Sequence, residues 1–208
     1  MKKVLALVLI CYSGLVFATQ RAVTDTGDIV ILRDNGTWEF SSKNQTSDSK
    51  IETDHTKYKK PASSKFLLKS KRNSAEVWLN QKIWSFKRAQ ANSPSEYQFR
   101  LNGQDLYGML LAERTEMPVK TLAIAAIENA KKAATNVRIF KKEYRYVNGH
   151  KVLFMNFSGN IQGADFTYYG YYYSDKTGST QFLTYCASNL ASTYKKNIFK
   201  FLNGLDRK

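Results

Sequence analysis

The sequence predicts an α+β domain in which an antiparallel sheet is flanked by two helices. The main observation is a succession of four β-prone runs between residues 137 and 187, joined by short turns that contain glycine. Two amphipathic segments, 118–134 and 190–203, supply one helix before this succession and one after it. Strands that come in a block, with helices inserted late, are typical of this class.

Residues 1–18 predict a cleaved signal peptide. Lys2 and Lys3 precede an uncharged apolar run, and Val16-Phe17-Ala18 places small residues three and one positions before the expected cleavage site. The polar residues that follow Ala18 come too soon for a membrane span, which needs about 20 apolar residues. We therefore expect an exported bacterial protein, periplasmic or secreted, whose mature chain keeps Cys186 as its one cysteine.

Residues 19–41 predict a small N-terminal β element. Two turn signals, Asp25-Thr26-Gly27 and Asp34-Asn35-Gly36, separate three short β-prone runs. The pattern Asp-x-Gly-x-x-Val-x-Leu, followed by Asp-Asn-Gly-Thr-Trp, resembles a short β element found just after the signal in many secreted bacterial proteins. The resemblance covers about 20 residues and implies no chemistry.

Residues 42–64 predict a flexible basic linker, because they are rich in polar residues and show neither helix nor strand periodicity. The formal charge of the chain is +15, and the basic residues are densest between 57 and 88, where Glu76 is the one acid. Such a region favours contact with anionic groups, and the alternative is that its charge serves solubility. The candidate binding residues here are Lys57, Lys59, Lys60, Lys65, Lys69, Lys71 and Arg72.

Residues 65–208 predict the main domain. Its first half contains short strands around 66–70, 76–79 and 82–86, then a hairpin at Tyr97–Leu101 and Leu106–Glu113. Pro118 opens a helix that ends near Ala134, since proline is well tolerated at the first helical position.

The second half of this domain predicts a sequential antiparallel meander and a closing helix. Asn148-Gly149 is a strong hairpin signal, because both residues tolerate positive φ. The four predicted strands are Val137–Val147, His150–Ser158, Ala164–Ser174 and Ser179–Ala187. The closing helix, from about Leu190 to Asn203, has an apolar stripe that includes Tyr194 and Ile198.

Aromatic and glycine spacings in this domain resemble a known family. The order of Val77-Trp78-Leu79, Tyr146-Val147-Asn148-Gly149, Tyr168-Tyr169-Gly170-Tyr171-Tyr172 and Gln181-Phe182-Leu183-Thr184 is similar to that of the PsbP/DcrB-like family. The resemblance spans about residues 64–208 and implies an α/β/α sandwich around an antiparallel sheet. The family includes photosystem assembly subunits, a nuclear transport factor and bacterial envelope proteins, so the resemblance implies a binding or accessory function.

The run of tyrosines between residues 168 and 173 has two interpretations. Strand alternation directs Tyr169, Tyr171 and Tyr173 to one face, where they are candidates for a stacking surface for sugar rings or bases. The alternative, which we favour, is aromatic packing beneath the helices. On the other face, Gly170 leaves a gap between Tyr168 and Tyr172.

The sequence favours a non-enzymatic protein without a metal or another cofactor. His55 and His150 have no orienting partner in the sequence, a dyad of Cys186 with His150 has little support, and no group has metal-ligand spacing. The leading hypothesis is an exported binding or accessory module whose partner is an envelope protein. The first alternative is binding of an anionic polymer or membrane surface, through glycan or lipid headgroups, by the basic 57–88 region, with nucleic acid disfavoured. The second is a hydrolase with a site built from loops.

Overall fold

The computed structural model describes residues 20–23, 29–40 and 51–208, and the predicted signal peptide lies outside them. The chain divides into two compact units, Met1–Gln45 and Thr46–Lys208. The first unit holds a three-stranded antiparallel sheet of β1 (Gln20–Val23), β2 (Ile29–Leu32) and β3 (Trp38–Phe40). The turn before β3 places Gly36 at φ 78°, and Asn35 Oδ1 accepts hydrogen bonds from the N–H and hydroxyl of Thr37.

The second unit consists mainly of strands. Its strands in chain order are β4 (Thr53–Tyr58), β5 (Phe66–Lys69), β6 (Ala75–Leu79), β7 (Trp84–Arg88), β8 (Tyr97–Leu101), β9 (Tyr107–Glu113), β10 (Thr135–Val147), β11 (His150–Ile161), β12 (Ala164–Asp175), β13 (Gly178–Ala187) and β14 (Leu205–Arg207). Helix α1 (Val119–Ala133) lies between β9 and β10, and helix α2 (Ala191–Leu202) lies between β13 and β14.

A large sheet of eight strands has the order β4-β10-β11-β12-β13-β9-β8-β7. The predicted meander is confirmed, because β10, β11, β12 and β13 pair in succession and antiparallel. At the β10–β11 turn Asn148 and Gly149 have φ values of 50° and 86°, the left-handed conformation that this turn requires. The β4–β10 pair is parallel, which makes the sheet mixed.

A second sheet in this unit has the order β14-β6-β5. Its strands share a core with α2 and with one face of the large sheet, where Tyr171 and Phe182 are fully buried. On the opposite face of the large sheet, Leu122 and Ala123 of α1 pack against residues that include Leu153 and Tyr172. Both faces of the central strands are therefore apolar, as expected for a sheet that is covered on each side.

The predicted fold class, an antiparallel sheet flanked by two helices as an α/β/α sandwich, is wrong. The described residues are mostly in strands, the large sheet is mixed, and one of its faces is covered by a second sheet together with α2. The short strands expected around 66–70 and 76–79 form this second sheet with β14 instead of extending the large one.

The predicted flexible linker over residues 42–64 needs a second correction. Residues 53–58 of that range form β4, which pairs with Tyr144–Val147 of β10. Its polar side chains are compatible with a strand because β4 lies at the edge of the sheet, where one side of a strand faces solvent. Residues 42–50 lie outside the described residues.

Candidate functional site

A surface groove lies beside α2, and we call it the α2 groove. It consists of two adjoining cavities, of about 120 Å³ and about 490 Å³, which share Ile83 and Asn197 as lining residues. Its walls come from the loop between β6 and β7, from the exposed side of α2 and from the segment between β4 and β5. The residues that line it include Pro61, Ser63, Trp78, Asn80, Lys82, Ile83, Gln104, Thr193, Asn197 and Lys200.

Helix α2 presents a polar side to the groove because its apolar stripe is turned to the core. Tyr194, Ile198 and Phe201 are buried at helical spacing. Thr193, Asn197 and Lys200 consequently line the groove. The side-chain amide of Asn197 makes no hydrogen bond to another described residue, so its donors and acceptor are available to a ligand.

The chain that leaves α2 is held close to β6. The backbone N–H of Trp78 donates to the carbonyl oxygen of Gly204 at 2.8 Å. A methyl group at position 204 would overlap the carbonyl oxygen of Trp78, so glycine is required for this close approach. This contact fixes the end of α2 against the strand that carries Trp78.

The floor of the smaller cavity is aromatic. The rings of Trp84 and Phe201 stack with centroids 4.0 Å apart, and Trp84 is buried. In the loop that precedes Trp84, the N–H groups of Ile83 and Trp84 both donate to the carbonyl oxygen of Asn80. This tight turn leaves Ile83 at the rim with 41% of its surface exposed.

Ammonium groups lie in the groove and beside it. Lys60 Nζ lies 4.1 Å from the centroid of the Trp78 ring, a cation–π contact, and Lys82 and Lys200 line the two cavities. Among the described residues that line them there is no Asp, Glu, His or Cys. The groove therefore offers apolar surface, amides and positive charge, which suit binding of an anionic group.

The predicted basic residues do not converge on this groove. Lys60 lies beside it, over the Trp78 ring, whereas Lys69 forms an ion pair with Glu76 at 2.9 Å. Arg72 is half-buried and donates to the carbonyl oxygen of Ala112. The remaining members are exposed, and they are Lys57 in β4, Lys59 just after it, Lys65 before β5 and Lys71 between β5 and β6.

The three tyrosines of the predicted stacking surface pack in the protein. Tyr169 is half-buried against Phe199, and Tyr173 is buried beside Arg207. Tyr171 is fully buried, its hydroxyl donates to Asn203 Oδ1 at 2.8 Å, and burial raises its pKa to about 12. The interpretation of Tyr171 and Tyr173 as a binding surface is therefore corrected, because core rings cannot stack on a ligand.

Trp78, Ile83 and Asn197 are the groove residues that sequence reasoning missed. The predicted closing helix already turned its polar residues away from the core, so it contained a signal for Asn197. Trp78 and Ile83 carried no comparable signal, because an apolar residue in a predicted strand is expected in the core.

Histidine and cysteine do not come together in the described part of the chain. His150 starts β11, whereas Cys186 pairs with Thr167 near the opposite end of the sheet. His150 Nδ1 accepts a hydrogen bond from Arg207, so the other ring nitrogen carries the proton that faces Asp206 Oδ1 at 3.3 Å. Burial raises the pKa of the Cys186 thiol, which disfavours the nucleophilic thiolate.

Two further features of the described residues bear on function. They contain no group of three or more His, Cys, Asp or Glu side chains that could hold a metal ion. None of their helices combines the length and the apolar character that crossing a bilayer requires.

Comparisons with known proteins show a likeness at the level of the fold. No family model matches the chain, and no curated protein matches it. The solution structure of cyanobacterial PsbP (CyanoP) from Synechocystis sp. PCC 6803 aligns with a TM-score of 0.51 and 11% sequence identity, covering 71% of this chain and 95% of that one. A protein of unknown function from Pseudomonas aeruginosa, PA94, aligns with a TM-score of 0.44 and 10% identity, covering 69% and 96%. The chain therefore has a PsbP-like fold at low sequence identity.

Proposed function

We propose that this protein is an exported, non-enzymatic accessory module that binds another protein of the bacterial envelope through the α2 groove. The observation that carries the proposal is that an exposed apolar side chain, an unpaired amide and two ammonium groups line one groove, with a third ammonium group beside it. These belong to Ile83, Asn197, Lys82 and Lys200, with Lys60 over the Trp78 ring. The PsbP-like fold supports an accessory role, and the absence of Asp, Glu, His and Cys from the described cavity lining favours binding over turnover.

The two cavities of the groove differ in size. Cavities that enclose small ligands usually measure roughly 300–1,000 Å³; the larger cavity, of about 490 Å³, lies within this range, and the smaller one, of about 120 Å³, lies below it. We infer that the smaller cavity takes one side chain of a partner and that the larger cavity takes the chain that carries it. A partner segment with a carboxylate next to an apolar side chain would suit this groove. The carboxylate would pair with Lys200, and the apolar side chain would pack on Trp84.

Charge reversal in the groove tests this proposal. The probe is poly-glutamate, and intrinsic tryptophan fluorescence reports binding because Trp78 lies under Lys60. We expect Lys60→Glu combined with Lys200→Glu to weaken binding about tenfold, which is about 1.4 kcal/mol. The matched control is Lys132→Glu with Lys176→Glu, which makes the same charge change at two exposed lysines outside the groove.

The control also distinguishes binding at the groove from attraction by the net charge of the protein. If both double variants lose the same affinity, net charge alone explains the binding and the groove proposal fails. Ile83→Ser should weaken binding without changing its salt dependence. Turnover of any ester, peptide or glycoside substrate that disappears with Asn197→Ala would contradict the non-enzymatic proposal.

A second candidate function is binding of a glycan or lipid headgroup by the 57–88 region, and the exposure of Lys57, Lys59, Lys65 and Lys71 favours it. Such binding is electrostatic and should weaken steeply with salt. Heparin retention that is lost in a Lys57→Glu/Lys59→Glu variant, but kept in Lys60→Glu/Lys200→Glu, would favour this candidate over the groove. N-terminal sequencing of the mature protein tests export, with Thr19 expected as the first residue.

A further inference from the structure

One edge of the large sheet is open along the first part of β10. On one side β10 pairs with β11 over its whole length, but on the other side β4 pairs only with Tyr144–Val147. The N–H of Tyr144 donates to the carbonyl oxygen of Glu52, which marks where this pairing begins. Within the described ranges, no strand pairs with residues 135–143 on that side, so their outward backbone groups are available as donors and acceptors.

Two large apolar side chains stand exposed on this open edge. The register between β10 and β11 shifts between Ile139 and Lys141, so Phe140 is the extra residue of a β-bulge. Phe140 is 62% exposed and Ile139 is 47% exposed. Bulges and charges are common means of protecting a sheet edge from association. Protection of the edge from association does not explain why a phenylalanine and an isoleucine are exposed to solvent next to each other on it.

The charges along the edge are positive on both faces of the strand. Directly paired residues of neighbouring strands share a face, so Arg138 and Lys141, paired with Ser158 and Asn156, lie on the face opposite to α1. Lys141 forms an ion pair with Glu143 at 2.9 Å, and Arg138 has no ion pair with a described residue.

The face that α1 covers combines apolar and basic groups. Ile139 pairs with Phe157 of the core beneath α1, and Lys142 pairs with Met155 of the same core. Burial and the positive charge of Lys120 lower the pKa of Lys142, and Lys142 has no ion pair with a described residue. This face therefore offers an added strand the exposed apolar surface of Ile139 and the stem of a half-buried lysine.

We propose that this edge, residues 135–143 of β10, binds an extended acidic segment of another protein by strand addition. The added segment pairs with the open part of β10. It thereby extends the pairing that β4 makes with Tyr144–Val147. Because side chains of an added strand alternate between the two faces, glutamates on one face meet Arg138 and Lys141 while apolar residues on the other meet Ile139. The contact is independent of the α2 groove.

A second copy of this chain is a poorer occupant of the edge. Pairing β10 with another β10 would bring Arg138, Lys141 and Lys142 of one copy next to the same residues of the other, and like charges across a strand pair are destabilising. An anionic bilayer would satisfy the charges and Phe140, but it would leave the row of backbone donors and acceptors without strand partners.

The test uses the full-length mature protein and a short peptide that alternates glutamate and valine. Binding is measured by fluorescence anisotropy of the labelled peptide, and hydrogen exchange of the protein locates the contact. We expect slower exchange of the amides in residues 135–143 and a loss of at least about tenfold in affinity with Phe140→Ser. Ile139→Ser should also weaken binding, while Leu32→Ser, a comparable change at an exposed apolar residue of the first unit, should leave it within about twofold.

Two further peptides identify the mode of binding. A glutamate–valine peptide with N-methylated backbone amides on the side that would face β10 should not bind, because it cannot donate to the strand. A lysine–valine peptide should not bind either. The proposal would be overturned if either of these two peptides bound as tightly as the glutamate–valine peptide, if residues 135–143 gained no protection, or if slower exchange depended only on protein concentration. Phe140-dependent binding to phosphatidylglycerol vesicles without binding of the glutamate–valine peptide would overturn it as well.

Discussion

Tyr171 and Tyr172 are adjacent on β12, yet their hydroxyls are in opposite situations. Tyr171 points to the core shared with α2 and donates to Asn203 Oδ1 at 2.8 Å. Tyr172 points to the core beneath α1, where its buried hydroxyl has no hydrogen-bond partner among the described residues. A buried polar group without a partner costs about 1–3 kcal/mol, whereas a satisfied one contributes about 1 kcal/mol.

Removing each hydroxyl should therefore change stability in opposite directions. We expect Tyr172→Phe to raise the free energy of unfolding by about 1 kcal/mol and Tyr171→Phe to lower it by about 1 kcal/mol. Urea denaturation of both variants at neutral pH measures the difference, and each is the control for the other because the change in volume is the same. Equal shifts in both variants would show that the two hydroxyls have equivalent surroundings.

Strand alternation predicted the directions of the tyrosine side chains but not what lies above them. Tyr171 and Tyr173 share a face, and Tyr172 points the other way, as the sequence predicted. The gap expected at Gly170 is filled, since a methyl group there would clash with Leu183 and touch the ring of Tyr172. What fills a gap depends on residues distant in the sequence, and alternation contains no information about them.

At the scale of elements, Asn148 connects three parts of the second unit. Its Nδ2 donates to the carbonyl oxygens of Asn203 and Leu205, and its Oδ1 accepts from the N–H of Lys60. The β10–β11 turn is thereby joined to the end of α2, to β14 and to the segment after β4. Because α2 lines the α2 groove and Lys60 lies beside it, this asparagine also positions the candidate site.

Asn148→Gly isolates the contribution of this side chain, because glycine keeps the left-handed backbone of the turn. We expect the free energy of unfolding to fall by about 2–3 kcal/mol, since three hydrogen bonds are lost. Urea denaturation measures the change, and the fluorescence response to poly-glutamate should also weaken because Lys60 loses its anchor. A variant as stable as the wild type would show that solvent replaces these bonds without cost.

The sequence predicts elements well where their signals are local. The meander was recognised from its turns, and Asn148-Gly149 adopts the expected conformation. β4 was missed because Thr53-Asp54-His55-Thr56-Lys57-Tyr58 has no apolar alternation and forms a strand only by pairing with β10, far along the chain. The three-residue β14 is equally dependent on β6. Nonlocal pairing also explains the incorrect fold class, since β5 and β6 leave the large sheet to pair with β14.

On the scale of the whole molecule, the proposed functions depend on surfaces that no short motif marks. The α2 groove combines residues from Pro61 to Phe201, and within the described part of the chain β10 has an open edge because β4 pairs with only four of its residues. The formal charge of +15 favoured contact with anionic groups as a class and left solubility as the alternative. Only the arrangement of strands and helices distributes this charge between two separate surfaces.

The number of buried tyrosines gives the whole molecule a specific response to alkali. Burial raises the pKa of Tyr171 to about 12 from its ordinary value of 10.0, and it raises the pKa of Tyr172 further, since that ring is fully enclosed. Burial likewise raises the pKa of Tyr168, Tyr173 and Tyr185. Above pH 10 the unfolded chain loses phenolic protons that the folded protein retains, so stability falls as the pH rises.

Comparison with Tyr172→Phe isolates the contribution of one tyrosine to the pH dependence of stability, because the lysines titrate alike in both proteins. Above pH 10, the wild type should lose about 1.4 kcal/mol more stability per pH unit than Tyr172→Phe. The reason is that the variant lacks one phenol that ionises in the unfolded chain but stays protonated in the folded protein. Urea denaturation of both proteins at several pH values on either side of pH 10 measures this slope. Below pH 10 the difference between them should be constant, because the phenol is protonated in both the folded and the unfolded state. Parallel curves throughout would mean that the Tyr172 hydroxyl ionises as freely in the folded protein as in the unfolded chain, and would contradict its burial beneath α1.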